Sequence, residues 1–214
     1  MKTIVIIPAR LESTRLTEKP LIKIQGKSLI HRVYNRIKEC KSKLDIIIAT
    51  DSYKIAEHVK SFGGEFILTS NKHISGTDRC NETLKSLKEK YDLVINVQGD
   101  EPIINPKIID DIINKFQLEN DEIVSVAKPI TDIDLINDIN IVKVKFNSDM
   151  LAKEFYRKPK NTDITSAFKH YGIYAFTPII LNEVCNLSPT PNELNYKLEQ
   201  LRWLDNKYKI RIIK

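Results

Sequence analysis

The chain has 214 residues, 42% hydrophobic and 29% charged, and 34 Lys and Arg against 28 Asp and Glu give a formal charge of +6. That balance excludes disordered, collagenous and fibrous classes, and a length above the usual domain mode of about 100–150 residues predicts one domain with an appended part. The longest apolar runs, such as Ile4 to Ile7 and Ile46 to Ala49, fall far short of the roughly 18–20 residues of a membrane span, and no secretory leader follows Met1. A cytoplasmic protein without a membrane partner is expected. The lysines are scattered rather than gathered in a tract, which argues against nucleic acid. Cys40, Cys80 and Cys185 are odd in number and far apart, so neither a disulfide framework nor a metal pair is expected.

In chain order, Thr3 to Ile7 predicts a strand, Ser28 caps a helix burying Leu29, Ile30, Val33 and Ile37, and Asp45 to Thr50 predicts the next strand. A helix from Tyr53 to Phe62 ends at Gly63-Gly64, a strand follows over Glu65 to Thr69, and a helix over Asp78 to Lys90. Leu93 to Val97 reads as an apolar strand, and Pro106 opens a helix burying Ile108, Ile109, Ile112 and Ile113. This alternation predicts a Rossmann-like, mostly parallel α/β sheet. After Glu122 the strands over 123–127, 141–146 and 172–176 lack long intervening helices and predict a smaller mixed or antiparallel lobe. Helices over 178–185 and 192–204 and a strand over 207–213 complete the chain. The expected organisation is a single domain over 1–214, with an α/β part over 1–122 and a second part over 123–214.

In open parallel sheets ligands bind beyond the carboxyl ends of the strands. The loop after the first strand carries Arg10, Arg15 and Lys19, whose cations would offset most of the roughly four negative charges of a nucleoside triphosphate. Neither glycine-rich phosphate loop, G-x-x-x-x-G-K-[ST] nor G-x-G-x-x-G, occurs. Gln98-Gly99-Asp100-Glu101 ends another strand, and Asp100 suits a hard cation such as magnesium. Ser75 to Arg79 offers small polar donors for a base edge or ribose, though Ser75 also reads as a helix cap.

Taken together, PARLESTRLTEKPL at 8–21, IIIATDS at 46–52, SGTDR at 75–79, NVQGDEP at 96–102, KHYGIYAF at 169–176 and LEQLR at 198–202 resemble the 3-deoxy-manno-octulosonate cytidylyltransferase family over nearly the whole chain. The resemblance implies a cytidylyltransferase that activates a 2-keto sugar acid with CTP, giving the CMP-sugar and pyrophosphate for lipopolysaccharide or capsule synthesis, as a homodimer. It implies Arg10, Ser13, Arg15 and Lys19 on the CTP phosphates, Ser75, Thr77 and Arg79 with Gln98 on the nucleotide, and Mg2+ on Asp100. Arg10, Arg15, Lys19 and Asp100 would act in catalysis. On the sugar side it implies Arg157, His170, Tyr174, Glu193 and Gln200. Tyr156, Lys158 and Tyr196 differ from the family pattern, which leaves an amino-octulosonate or nonulosonate substrate open. Family members continue past the last strand into a G-V-D-T segment with a second metal aspartate, and this sequence stops at Lys214. The expectation is therefore a truncated copy or a short variant whose site is completed by Asp78, Glu101 or substrate oxygens, with a catalytically weak binding homologue as the alternative.

Overall fold

The computed structural model describes residues 1–12, 16–119, 121–159 and 167–214. The strands are β1 (Thr3–Ala9), β2 (Lys23–Ile24), β3 (Lys27–Ser28), β4 (Asp45–Thr50), β5 (Glu65–Leu68), β6 (Leu93–Val97), β7 (Ile123–Pro129), β8 (Lys143–Phe146), β9 (Ala152–Tyr156), β10 (Phe168–Phe176) and β11 (Ile210–Ile213). The helices are α1 (Leu29–Lys38), α2 (Tyr53–Ser61), α3 (Gly76–Ser86), α4 (Pro106–Glu119), α5 (Ile133–Asn137), α6 (Pro178–Cys185), α7 (Pro191–Tyr196) and α8 (Gln200–Asp205), with a 3-10 turn at Lys19–Leu21.

Among the described residues one nine-stranded sheet runs β11-β7-β10-β6-β1-β4-β5, with β8 and β9 attached beside β10, and β2 and β3 form a separate hairpin. β1 pairs in parallel with β4 and β6, β4 with β5, and β7 with β11. β10 runs antiparallel to β6, β7 and β8. The antiparallel part therefore grows out of the parallel sheet as one continuous surface.

Successive residues of a strand point to opposite faces, and β1 shows it directly. Val5 and Ile7 pack with Ile30, Val33, Ile55, Ile109 and Ile112 from α1, α2 and α4, while Ile4 and Ile6 pack with Cys80, Leu181 and Trp203 from α3, α6 and α8. A strand covered on both faces needs no polar alternation, which is why β1 and β6 are buried throughout. Helix starts are set locally: Ser28, Ser52, Ser75 and Thr177 each accept a backbone N–H at the head of α1, α2, α3 and α6. After α2, Gly63 takes φ +73, and the N–H groups of Gly63 and Gly64 return to the carbonyls of Lys60 and Val59.

The helix expected to reach Lys90 ends at Ser86, the strand expected over 172–176 spans Phe168–Phe176, and the β2–β3 hairpin and α5 were not expected. Three further differences have a clear local cause. The helix expected over 192–204 is two helices, because Lys197 adopts a left-handed φ of 53 and Leu198 N–H closes on the Glu193 carbonyl. The turn sends Leu198, Leu201 and Trp203 into the core. β9 was not expected as a strand, its Lys153 and Glu154 diluting the apolar signal, and pairing with β8 creates it. The helix expected to begin at Asp78 begins at Gly76, since Ser75 and Asp78 form a reciprocal capping box.

Candidate active site

From β1 the chain builds outward to β4 and β5 on one side and to β6 on the other, so the switch point of the sheet lies between β1 and β6. The carboxyl ends of these strands leave a crevice there, the place where open α/β sheets take ligands. Arg10 follows β1, and Gln98, Gly99, Asp100 and Glu101 follow β6. The two strand ends come very close at Gly99, where a Cβ would stand 3.1 Å from the Pro8 carbonyl oxygen and 3.2 Å from Ile30 Cδ1. Glycine is what allows that approach.

A small cavity of about 150 Å3 is lined by Arg10, His73, Ser75, Gly76, Arg79 and Gln98 among others. Four residues singled out for the nucleotide, Arg10, Ser75, Arg79 and Gln98, thus converge from three separate parts of the chain. The volume is below the roughly 300–1,000 Å3 of a usual ligand pocket, so a large ligand would extend from it over the open strand ends.

Lys19 and Asp100 meet across the crevice mouth, with Lys19 Nζ 2.5 Å from Asp100 Oδ2. Lys19 is held there by its own loop: Glu18 N–H closes on the Leu11 carbonyl, and Lys54 grips the Glu18 carboxylate at 2.6 and 2.7 Å. Both partners of the Lys19–Asp100 pair are well exposed, so its net worth is about 0–1 kcal/mol and a competing phosphate or cation can part it. Burial, then the neighbouring Asp100 charge, raises the Glu101 carboxyl above its ordinary range, while Lys169 and Lys19 pull it back. Ser13 and Arg15 lie outside the described residues.

Arg79 is buried, and its guanidinium is already engaged: it donates to Asp51 Oδ2 at 2.8 Å, to Thr69 Oγ1 and to the Ser70 carbonyl. It braces the β4 and β5 ends against α3 while forming one wall of the cavity. Removing one member of such a buried pair strands the other, at a cost of about 3–5 kcal/mol. Asp51→Ala should therefore lower denaturant stability by an amount of that order, and a loss under about 1 kcal/mol would show Arg79 to be indifferent to its partner.

Thr77 and Asn96 are fully buried behind the cavity. Thr77 Oγ1 donates to Glu199 Oε2 at 3.1 Å. Glu199 is a residue that the sequence reading passed over. Burial foremost, then the charge of Asp78, pushes its carboxyl up to about 7, against the lowering effects of Ser75, Thr77 and Arg202. A carboxyl whose folded pKa lies above its unfolded value of about 4.5 costs nothing below that value; its cost accumulates as pH rises from there to about 7 and is constant above. Glu199→Gln should therefore melt higher than wild type at pH 8 and equally at pH 4. An equal melting temperature at both would contradict the shift.

The sugar-side residues are more dispersed. Arg157 follows β9, donates to the Ile139 and Asn140 carbonyls, and faces a large open groove with Tyr156, Lys158 and Tyr196. The buried Lys143 ammonium donates to the carbonyls of Asp138 and Arg157 and so fixes this turn. His170 is buried against Phe155 and Tyr174 with its Nε2 2.9 Å from Ser125 Oγ, and burial drives its pKa down to about 3, so the ring is neutral. Tyr174 is buried edge-on to Trp203. Glu193 is taken up by Arg202, which grips both its carboxylate oxygens at 2.7 and 2.5 Å. Gln200 is buried one position beyond Glu199.

A doubly wound sheet with a cation-lined crevice at its switch point, and a carboxylate facing a lysine across it, is the arrangement of a nucleotidyltransferase. The cytidylyltransferase family model matches residues 4–210. A 3-deoxy-manno-octulosonate cytidylyltransferase of Parabacteroides distasonis is 40% identical over 99% of this chain and 89% of its own length. One from Francisella tularensis subsp. holarctica is 42% identical over 97% and 88%. Among solved structures, a CMP:2-keto-3-deoxy-manno-octonic acid synthetase complexed with CTP superposes with a TM-score of 0.92 at 32% identity, covering 100% of this chain and 89% of that one. The chain belongs to the 3-deoxy-manno-octulosonate cytidylyltransferase family.

Proposed function

We propose that this protein transfers CMP from CTP to 3-deoxy-manno-octulosonate, releasing pyrophosphate. The observation that carries the reading is the meeting of Arg10, Ser75, Arg79, Gln98 and the Lys19–Asp100 pair at the β1–β6 switch point, in a chain whose relatives carry that name over nearly its full length. The anomeric hydroxyl of the sugar acid attacks the α-phosphorus of CTP in line, the bond to the β-phosphate oxygen breaks, and pyrophosphate leaves. Positioning and charge stabilisation do most of the work in such a step. Arg10 and Lys19 bind and neutralise the leaving pyrophosphate, with Arg15 as their expected partner, and Ser75, Arg79 and Gln98 form the nucleoside wall. Arg157 pairs with the sugar carboxylate.

The residues present suit a magnesium ion. Among the described residues no three His, Cys, Asp or Glu side chains gather into a metal cage, and magnesium is commonly held by one or two carboxylates with substrate phosphates supplying the rest. Asp100 is the carboxylate that would hold it, with Glu101 beside it; the ion would supply positive charge to the α-phosphate. We further place the protein in the cytoplasm, as a homodimer, supplying the CMP-sugar for lipopolysaccharide or capsule synthesis. No helix among the described residues is long and apolar enough to cross a membrane, and exposed Ile139 and Tyr196 line the groove beside Arg157.

Steady-state kinetics of Arg157→Ala test the sugar assignment. The expected result is a KM for the sugar acid raised at least about tenfold, with the CTP constant within about twofold, because one charge-assisted contact is lost. Equal rises in both constants would assign Arg157 to the nucleotide or to the scaffold.

A further inference from the structure

Asn96 occupies a place where an amide is costly. It sits on β6 between Ile6 of β1 and Tyr174 of β10, fully buried, and a buried amide is tolerated only when its polar atoms find partners. They do so in a line. Gln98 Nε2 donates to Asn96 Oδ1 at 3.2 Å, Asn96 Nδ2 donates to Thr77 Oγ1 at 3.4 Å, and Thr77 Oγ1 donates to Glu199 Oε2 at 3.1 Å.

The direction of this line follows from one end. An ionised carboxylate only accepts, so Thr77 must spend its single hydroxyl proton on Glu199. Its oxygen then accepts from Asn96, which must present its NH2 to Thr77 and its carbonyl to Gln98. Gln98 must in turn present its NH2 inward, leaving its carbonyl oxygen as the outward end in the cavity that it lines. A protonated Glu199 can donate instead. Thr77 is then free to donate to Asn96, and both amides can flip, so that Gln98 offers its NH2 outward. Gly76 and Gly172 leave room at Gln98, since a Cβ on either would stand about 3.4 Å from its side chain.

We infer that Gln98, Asn96, Thr77 and Glu199 form a directional relay in which the charge on Glu199 sets which end of the Gln98 amide meets the substrate, with Asn96 and Thr77 as positioning residues. The inference rests on the proposed activity for its site and deepens it. With Glu199 ionised, Gln98 accepts from an amino or hydroxyl hydrogen of a substrate; with Glu199 protonated, that contact is lost. The groups facing Glu199 are Ser75, Thr77, Asp78 and Cys80 of the α3 end, Arg202 of α8, Tyr174 of β10 and Cys185 of α6. Arg202 is the cation among them and is held bidentately by Glu193, so Glu199 is left with a pKa near 7, where small changes of pH act on it.

The test follows the Glu199 carboxyl by carbon NMR without substrate and the KM values for CTP and the sugar acid from pH 6 to 8. In wild type, Glu199 is expected to titrate near neutrality and one KM to fall as it ionises. Thr77→Val removes a bond that favours the ionised form, so the titration should move up by about half to one unit, and Thr77→Ser should restore it. Asn96→Leu should raise the affected KM about tenfold and remove its pH dependence while Glu199 still titrates, a split that loosened packing does not produce. Should Asn96→Leu fail to fold, Gln98→Leu should show the same loss of pH dependence. An unmoved Glu199 titration in Thr77→Val, or a wild-type pH dependence of KM in Asn96→Leu or Gln98→Leu, would overturn the relay. Absence of turnover in wild type would overturn the activity reading instead, and the carboxyl titrations would still decide the Thr77–Glu199 arm.

Discussion

Asp100→Asn is expected to lower turnover by about a hundredfold or more while leaving the melting temperature within about 2 °C. The two halves of that result have separate causes. Asp100 is well exposed in the loop after β6, and its described ion pair is the surface contact with Lys19, so little folding energy depends on its charge. Its proposed role needs that charge, since an amide oxygen is a neutral and weaker ligand for so hard a cation. Raising magnesium should recover part of the activity. A variant that keeps more than about a third of wild-type turnover would remove Asp100 from the chemistry, and one that unfolds would make its role structural.

Lys19→Ala is expected to weaken CTP by about ten- to a hundredfold and CMP by no more than about threefold, measured by calorimetry. Lys19 stands at the open mouth of the crevice, outside the small cavity that holds Arg10, Ser75, Arg79 and Gln98, so the phosphates beyond the first are what it can reach. Because it pairs with Asp100 in the free protein, its removal also exposes that carboxylate. Magnesium binding without nucleotide should therefore tighten slightly in the same variant. Equal losses for CTP and CMP would place Lys19 on the α-phosphate or on the nucleoside.

The fold was legible where burial is symmetrical. β1, β4 and β6 are covered on both faces, so they read as unbroken apolar runs, and Ser28, Ser52 and Gly63 punctuate the helices between them by local hydrogen bonding alone. β9 was not legible, since its pairing with β8 comes from tertiary context and its own residues alternate weakly. The loops holding Arg10, Lys19 and Asp100 were legible because a parallel sheet places its ligands beyond strand ends whatever the details. Glu199 was not. A continuous helix over 192–204 puts Glu193 and Gln200 on one face, seven residues apart, whereas the left-handed Lys197 breaks the helix and brings Glu199 to Thr77. The one available signal was its place in LEQLR, directly before Gln200. Asn96 showed a signal of a different kind, a polar amide inside the run Leu93 to Val97, and only the neighbouring strands reveal which groups satisfy it.

The most direct test of the central claim is phosphorus NMR of the purified protein with magnesium, 3-deoxy-manno-octulosonate and each of CTP, ATP, GTP and UTP in turn. CMP transfer predicts pyrophosphate and a new phosphodiester resonance growing in equal amounts with CTP, and rates at least about tenfold lower with the other three nucleotides. CTP that binds at the crevice yet yields neither pyrophosphate nor the CMP-sugar, or turnover equal across all four nucleotides, would contradict the account.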